Sequence, residues 1–123
     1  MNVLKVIFVI LTALMIFGCV KHKPVITELD MENSCFDAVD KKDWSKAKEA
    51  CTELVIVNDN HYGGWGQLCL AEYHLDHVAE AYQYCSYAIV LGLRDPRILH
   101  AFVEIDLVLR DQINQKTLEN KKK

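Results

Sequence analysis

The sequence has no excess of basic charge. Its formal net charge is −3 over 123 residues, which excludes a broad basic face for nucleic acid. Only Lys121-Lys122-Lys123 is a basic run, and a short charged tail is solvated and frayed. No glycine-rich phosphate loop follows a strand pattern, and no G-x-S-x-G nucleophile motif occurs. Glu49, Glu53, Glu72 and Glu80 are spread over polar helical faces, so no paired-carboxylate cleft is written here. No C-x-x-C occurs, and cysteines sixteen residues apart do not make a zinc-ligand pair. Of the five histidines (His22, His61, His74, His77 and His100), His74 and His77 stand at i, i+3, but no third ligand is fixed beside them. The expectation is a protein that is not an enzyme and that holds no metal and no cofactor.

Apolar runs of membrane-spanning length are also missing. The run Val6–Phe17 follows Lys5 and falls short of the ~20 residues that a spanning helix takes. It has the length of a signal-peptide apolar region. The run closes on Ile16-Phe17-Gly18-Cys19, which resembles the bacterial lipoprotein signal. That resemblance implies a signal peptide over 1–18, diacylglycerol on the Cys19 thiol, and acylation of the amine freed by cleavage before it. Such acyl chains anchor stably, because each buried CH₂ contributes ~0.8 kcal/mol. Residues 19–28 then read as a lipidated tether: Val20 to Glu28 shows no helical period, and Pro24 disfavours helix just before it. Val20 rather than Asp follows the cysteine. By resemblance to enterobacterial lipoproteins this implies delivery to the outer membrane, with the domain facing the periplasm.

The remaining cysteines carry a pattern. Cys35 to Cys51 and Cys69 to Cys85 are each sixteen apart, and Cys35 to Cys69 and Cys51 to Cys85 are each thirty-four apart. A period of thirty-four residues marks tetratricopeptide repeats, each a helix–turn–helix unit. An exported chain sits where disulfides persist, so the leading expectation is two hairpins stapled by Cys35–Cys51 and Cys69–Cys85. A Cys19–Cys35 bridge has the same spacing, but lipidation of Cys19 and the tether's lack of helical pattern weigh against it.

The flanking residues agree with the period. The first repeat, Glu28 to His61, carries Met31, Cys35, Ala38 and Val39 on one stripe. Trp44, Ala47, Cys51, Leu54 and Val55 form its second, with Asp43 as cap. The second repeat, Tyr62 to Asp95, carries Trp65, Leu68, Cys69 and Tyr73, then Val78, Ala81, Tyr82, Cys85, Ala88 and Ile89. Asp76 is placed at the intervening turn as N-cap, and Gly63-Gly64 as a flexible joint between repeats. Trp65, Leu68, Ala81 and Ala88 resemble the tetratricopeptide motif; Sel1-like cysteine-rich secreted proteins use similar paired cysteines in somewhat longer repeats. Two hairpins alone bury little apolar surface, and staples compensate in small exported domains.

Asp95-Pro96 is an N-cap followed by proline at the first helical position. Ile98, Leu99, Phe102, Val103, Ile105, Leu107 and Leu109 follow, so this helix reads as the first half of a third repeat, ending the array as a cap. The predicted fold is thus all-α, with a tetratricopeptide-like repeat domain over 29–112 and a frayed polar tail over 113–123. Trp44 and Trp65 read as packing residues.

Such arrays present a concave face to a segment of another protein. Candidate binding residues on the first helix of each repeat are Asn33, Asp37, Gln67 and Glu72. A lipid-tethered form resembles pilotins and accessory lipoproteins of secretion, pilus or conjugation machines. The partner implied is another envelope protein, such as a secretin or a pilus component. The alternatives are a cell-wall-directed enzyme or inhibitor, and a spacer without a specific ligand.

Overall fold

The structure is a computed structural model that describes residues 24–123 and Val3. The expected signal segment, Val3 apart, and Cys19 lie outside the described residues. Five helices follow: α1 (Glu28–Asp40), α2 (Trp44–Val57), α3 (Tyr62–His74), α4 (Val78–Val90) and α5 (Pro96–Lys121). The described residues contain no strand.

The thirty-four-residue period is visible in the caps. Thr27, His61 and Asp95 are the N-caps of α1, α3 and α5, and Asp43 and His77 are those of α2 and α4. Thr27 and Asp30 form a reciprocal capping box, while Asp43 and Asp95 accept from the amides of Lys46 and Arg97. Thr27, Asp43, His61 and Asp95 each satisfy an amide that the helix leaves open, whereas His77 makes no side-chain cap bond.

Helices α1 and α3 also end alike. Lys42 and Asp76 both lie in the left-handed region, at φ 56° and 63°. The amide of Lys42 bonds Val39 O and that of Asp43 bonds Ala38 O; the amides of Asp76 and His77 bond Tyr73 O and Glu72 O. These are Schellman closures, which need one left-handed residue just past the helix. Asp76 fills that place, because aspartate tolerates it, and His77 takes the N-cap expected of Asp76. Gly92, at φ 114°, closes α4 in the same way.

Each hairpin closes on its own disulfide. Cys35 bonds Cys51 and Cys69 bonds Cys85, with Cα separations of 4.7 and 5.2 Å. All four cysteines are fully buried. Around the first lie Ala38, Ala47, Leu54, Val55 and Leu68; around the second lie Ala81, Ala88, Ile98 and Ile105. Trp65, Leu70 and Tyr84 pack against both groups, which joins them into one core. Trp65 also donates from Nε1 to Asp59 O at 2.7 Å.

Gly63 and Gly64 are not a flexible joint. They form the first turn of α3, where a Cβ on Gly64 would lie 3.0 Å from Leu54 Cδ2 and 3.0 Å from Val55 Cγ1. A Cβ on Gly63 would come within 3.1 Å of Phe36 Cζ. The glycines let α3 approach the first hairpin closely.

Helix α5 buries Ile98, Ala101 and Ile105 against the second hairpin, with Phe102 and Leu109 half-buried. Val103 and Leu107 stay exposed, because among the described residues no further helix covers the side that α4 covers on α3. The tail expected to fray at 113 continues the helix to Lys121. Nothing in 110–121 breaks a helix, and Arg110 pairs with Asp106 one turn back at 2.8 Å.

Neighbouring first helices touch: α1 meets α3, and α3 meets α5, whereas α2 and α4 do not meet. The row α1–α3–α5 is therefore the shorter, concave side of the array.

Candidate functional site

On the concave row, α1 supplies Glu32 and Phe36, one turn apart, and α3 supplies Tyr62, Gly63 and Gln67. The α2–α3 connection adds Asn58, Asn60 and His61, and the α4–α5 connection adds Leu93 and Asp95. Together they line a cleft of about 410 Å³. Phe36, Tyr62 and Leu93 give it apolar walls, and its polar groups sit at defined points between them.

Most of those polar groups are already engaged. Asn58 donates from Nδ2 to Glu28 at 2.7 Å and accepts from the Asn60 amide at 3.1 Å. His61 Nδ1 accepts from the Gly64 amide at 2.8 Å, which caps α3 and places the ring proton on Nε2. That Nε2 lies 3.6 Å from Glu32 Oε2. Asp95 binds the Arg97 side chain at 2.9 Å, and this bond, with the Arg97 and Ile98 amides, holds its carboxyl below the usual range despite partial burial.

Two groups stand apart. Gln67 is only 4% exposed, and its Oε1 is buried without a hydrogen-bond partner among the described residues. Such a group costs about 1–3 kcal/mol when left unmet. Glu32 keeps a side chain 40% exposed and meets no lysine or arginine among the described residues, only the His61 ring.

The four candidate binding residues separate. Gln67 lines the cleft. Asn33 and Asp37 lie beside it on α1, in a shallow depression with Ser34, Phe36 and Asp40; Asp37 pairs with Lys41 at 2.7 Å. Glu72 does not face the cleft. It is 2% exposed and bridges the repeats, meeting Lys48 Nζ at 3.1 Å and His77 Nδ1 at 2.5 Å. A buried carboxylate needs such partners, and Glu72 sits about 140° around α3 from Gln67 at ~100° per residue. Glu32, Phe36 and Tyr62 were missed. The stripe chosen on α1, Asn33 and Asp37, is one residue round from the lining pair Glu32 and Phe36.

His74 and His77, the spaced histidine pair, go separate ways. His74 stacks on Trp44 with ring centroids 4.0 Å apart, and His77 holds Glu72. Among the described residues, no three His, Cys, Asp or Glu side chains converge as a metal site would need. No helix of the described residues is long and apolar enough to cross a membrane.

No family model matches the sequence, and no curated protein matches it. The fold does have a solved likeness, in a structure of the UNC-45 chaperone concerned with the features critical for binding and folding muscle myosin. The two superpose with a TM-score of 0.68 at 20% identity, over 79% of this chain and 11% of that one. The chain thus corresponds to a small part of that protein, and the likeness is one of fold. With the two stapled hairpins and the capping helix, it makes this chain a helical-repeat protein built of tetratricopeptide-like pairs.

Proposed function

We propose that this protein is a lipid-tethered scaffold that binds a segment of another envelope protein and assists its placement in an assembly. The observation that carries the reading is the concave cleft between α1, α3 and the start of α5, which combines apolar walls with an unmet buried acceptor. Helical-repeat proteins recognise partners on such faces by a few anchors. The structural neighbour is described as a chaperone that binds and folds myosin; that description supports the general class of activity and leaves the partner open.

The Ile16-Phe17-Gly18-Cys19 motif, followed by Val20 rather than Asp, supports a scaffold anchored on the periplasmic side of the outer membrane, where a secretin, pilus or conjugation subunit would be the partner. This is the arrangement of pilotin-like accessory lipoproteins. Cys19 would carry the diacylglycerol, and residues from Val20 would hold the domain off the membrane surface.

Two experiments test the reading. Metabolic labelling with an alkyne fatty acid should mark the wild type and leave a Cys19→Ser variant unmarked; equal labelling would remove the anchor. Crosslinking in intact envelopes, followed by capture of the full-length lipoprotein, should recover a defined envelope protein. Recovery of lipid and the lipoprotein alone would remove the scaffold.

A further inference from the structure

Resting on the scaffold reading, we infer that the cleft admits one lysine or arginine side chain of the partner segment, its head bound between Glu32 and Gln67. Three independent observations lead there. The first is charge. Helix α1 carries five carboxylates, Glu28, Asp30, Glu32, Asp37 and Asp40, and no lysine or arginine. Three are occupied: Glu28 by Asn58, Asp30 by Thr27, and Asp37 by Lys41; Asp40 lines the neighbouring depression and not the cleft. Glu32, at the cleft wall, is left facing only the His61 ring, whose Nδ1 is committed to the Gly64 amide.

The second is the orphan acceptor. Gln67 lines the cleft, and its Oε1 is buried without a partner among the described residues. A ligand that donates a proton there removes an unmet polar group, which a carboxylate or an apolar side chain does not. The third is shape and lining. Phe36 and Leu93 line the same cleft as these acceptors and give it apolar surface. A long side chain with an apolar stem and a cationic head matches that mixture of surfaces, and Phe36 and Tyr62 put aromatic rings into the same lining. An acidic segment would meet Glu32 with like charge and leave Gln67 unmet.

The test uses the full chain in detergent micelles and the acetylated, amidated peptides Ala-Ala-Xaa-Ala-Ala, with Xaa as Arg, Lys, Gln or Glu. NMR titration should show saturable shifts with Arg and Lys at the Gln67 side-chain amide, Gly63, Gly64 and the Asp95 amide. The Gln peptide should bind about tenfold more weakly, the worth of one charge-assisted hydrogen bond, and the Glu peptide should leave the cleft unmoved. Gln67→Leu and Glu32→Gln should each weaken the Arg peptide by a similar factor; Glu32 is on the surface, so its variant answers the question even if Gln67→Leu fails to fold. Equal binding of the Glu peptide, absence of shifts in the cleft, or wild-type affinity in Glu32→Gln would overturn the inference. The two readings can fail separately. A captured envelope partner that still binds Glu32→Gln keeps the scaffold and removes the cationic anchor. Selective Arg binding with no partner in the envelope keeps the anchor chemistry and removes the scaffold.

Discussion

Removing one disulfide should cost this domain about half of its stability, and removing both should unfold it. Each bond closes a loop between residues sixteen apart, and chain-entropy arguments give about 3 kcal/mol for a loop of that length. All four cysteines are fully buried, so replacement by alanine adds a small void and brings the loss to about 3–4 kcal/mol. A domain of about 100 residues is stable by about 5–15 kcal/mol. The two loops do not overlap in sequence, so their effects on the unfolded chain should add. With a urea slope of about 1–1.5 kcal/mol/M, the paired variants Cys35→Ala/Cys51→Ala and Cys69→Ala/Cys85→Ala should each lower the midpoint by about 2–4 M. The variant lacking all four should show little cooperative transition by far-UV circular dichroism. A shift below about 0.5 M in either pair, or a cooperative four-alanine variant, would refute the view that the hairpins need their staples.

Three further expectations follow from particular residues. Gly64→Ala should destabilise by about 1–2 kcal/mol, because the new Cβ meets Leu54 and Val55 at 3.0 Å and overpacking outweighs the gain in helix propensity; equilibrium denaturation reads this. Lys42→Gly should stabilise by about 0.5–1 kcal/mol, since Lys42 holds φ 56° where glycine meets no Cβ penalty; a fall in the thermal midpoint would contradict it. Asp95 should give an acid limb to stability. Its folded carboxyl lies below the ordinary range, mainly through Arg97, so its contribution is present above about pH 4 and lost as pH falls through the lowered value. Asp95→Asn keeps an acceptor cap and should flatten that part of the pH–stability curve, as measured by urea titrations between pH 2 and 6.

The architecture was legible because its constraints repeat. The cysteines and the apolar stripes recur at one period, and the caps at Asp43 and Asp95 mark helix starts; each reports a local requirement of a helix pair. The turn expected at Asp76 is there, but the N-cap falls on His77, because a left-handed closing residue and an N-cap favour the same residue types, and sequence does not separate adjacent roles. Gly63-Gly64 was read as freedom because a glycine's missing Cβ serves flexibility and close approach alike; only the distance to Leu54 and Val55 decides. The cleft was harder still. Its lining joins residues from two helices and two connections, and a one-residue error on α1 moves a stripe by about 100°. Gln67 and Glu72 look equivalent as buried-face polar residues. One is an unmet acceptor in a cleft and the other a bridge to Lys48 and His77, a difference set entirely by the elements packed around them.

The most direct test of the account is photo-crosslinking in living cells from single positions on the two faces of the array. A photoreactive residue at Tyr62, which is exposed at the cleft mouth, should give a discrete adduct with an envelope protein, and one at exposed Ile56 on α2 should give none. Adducts from position 56 with none from 62 would contradict the account.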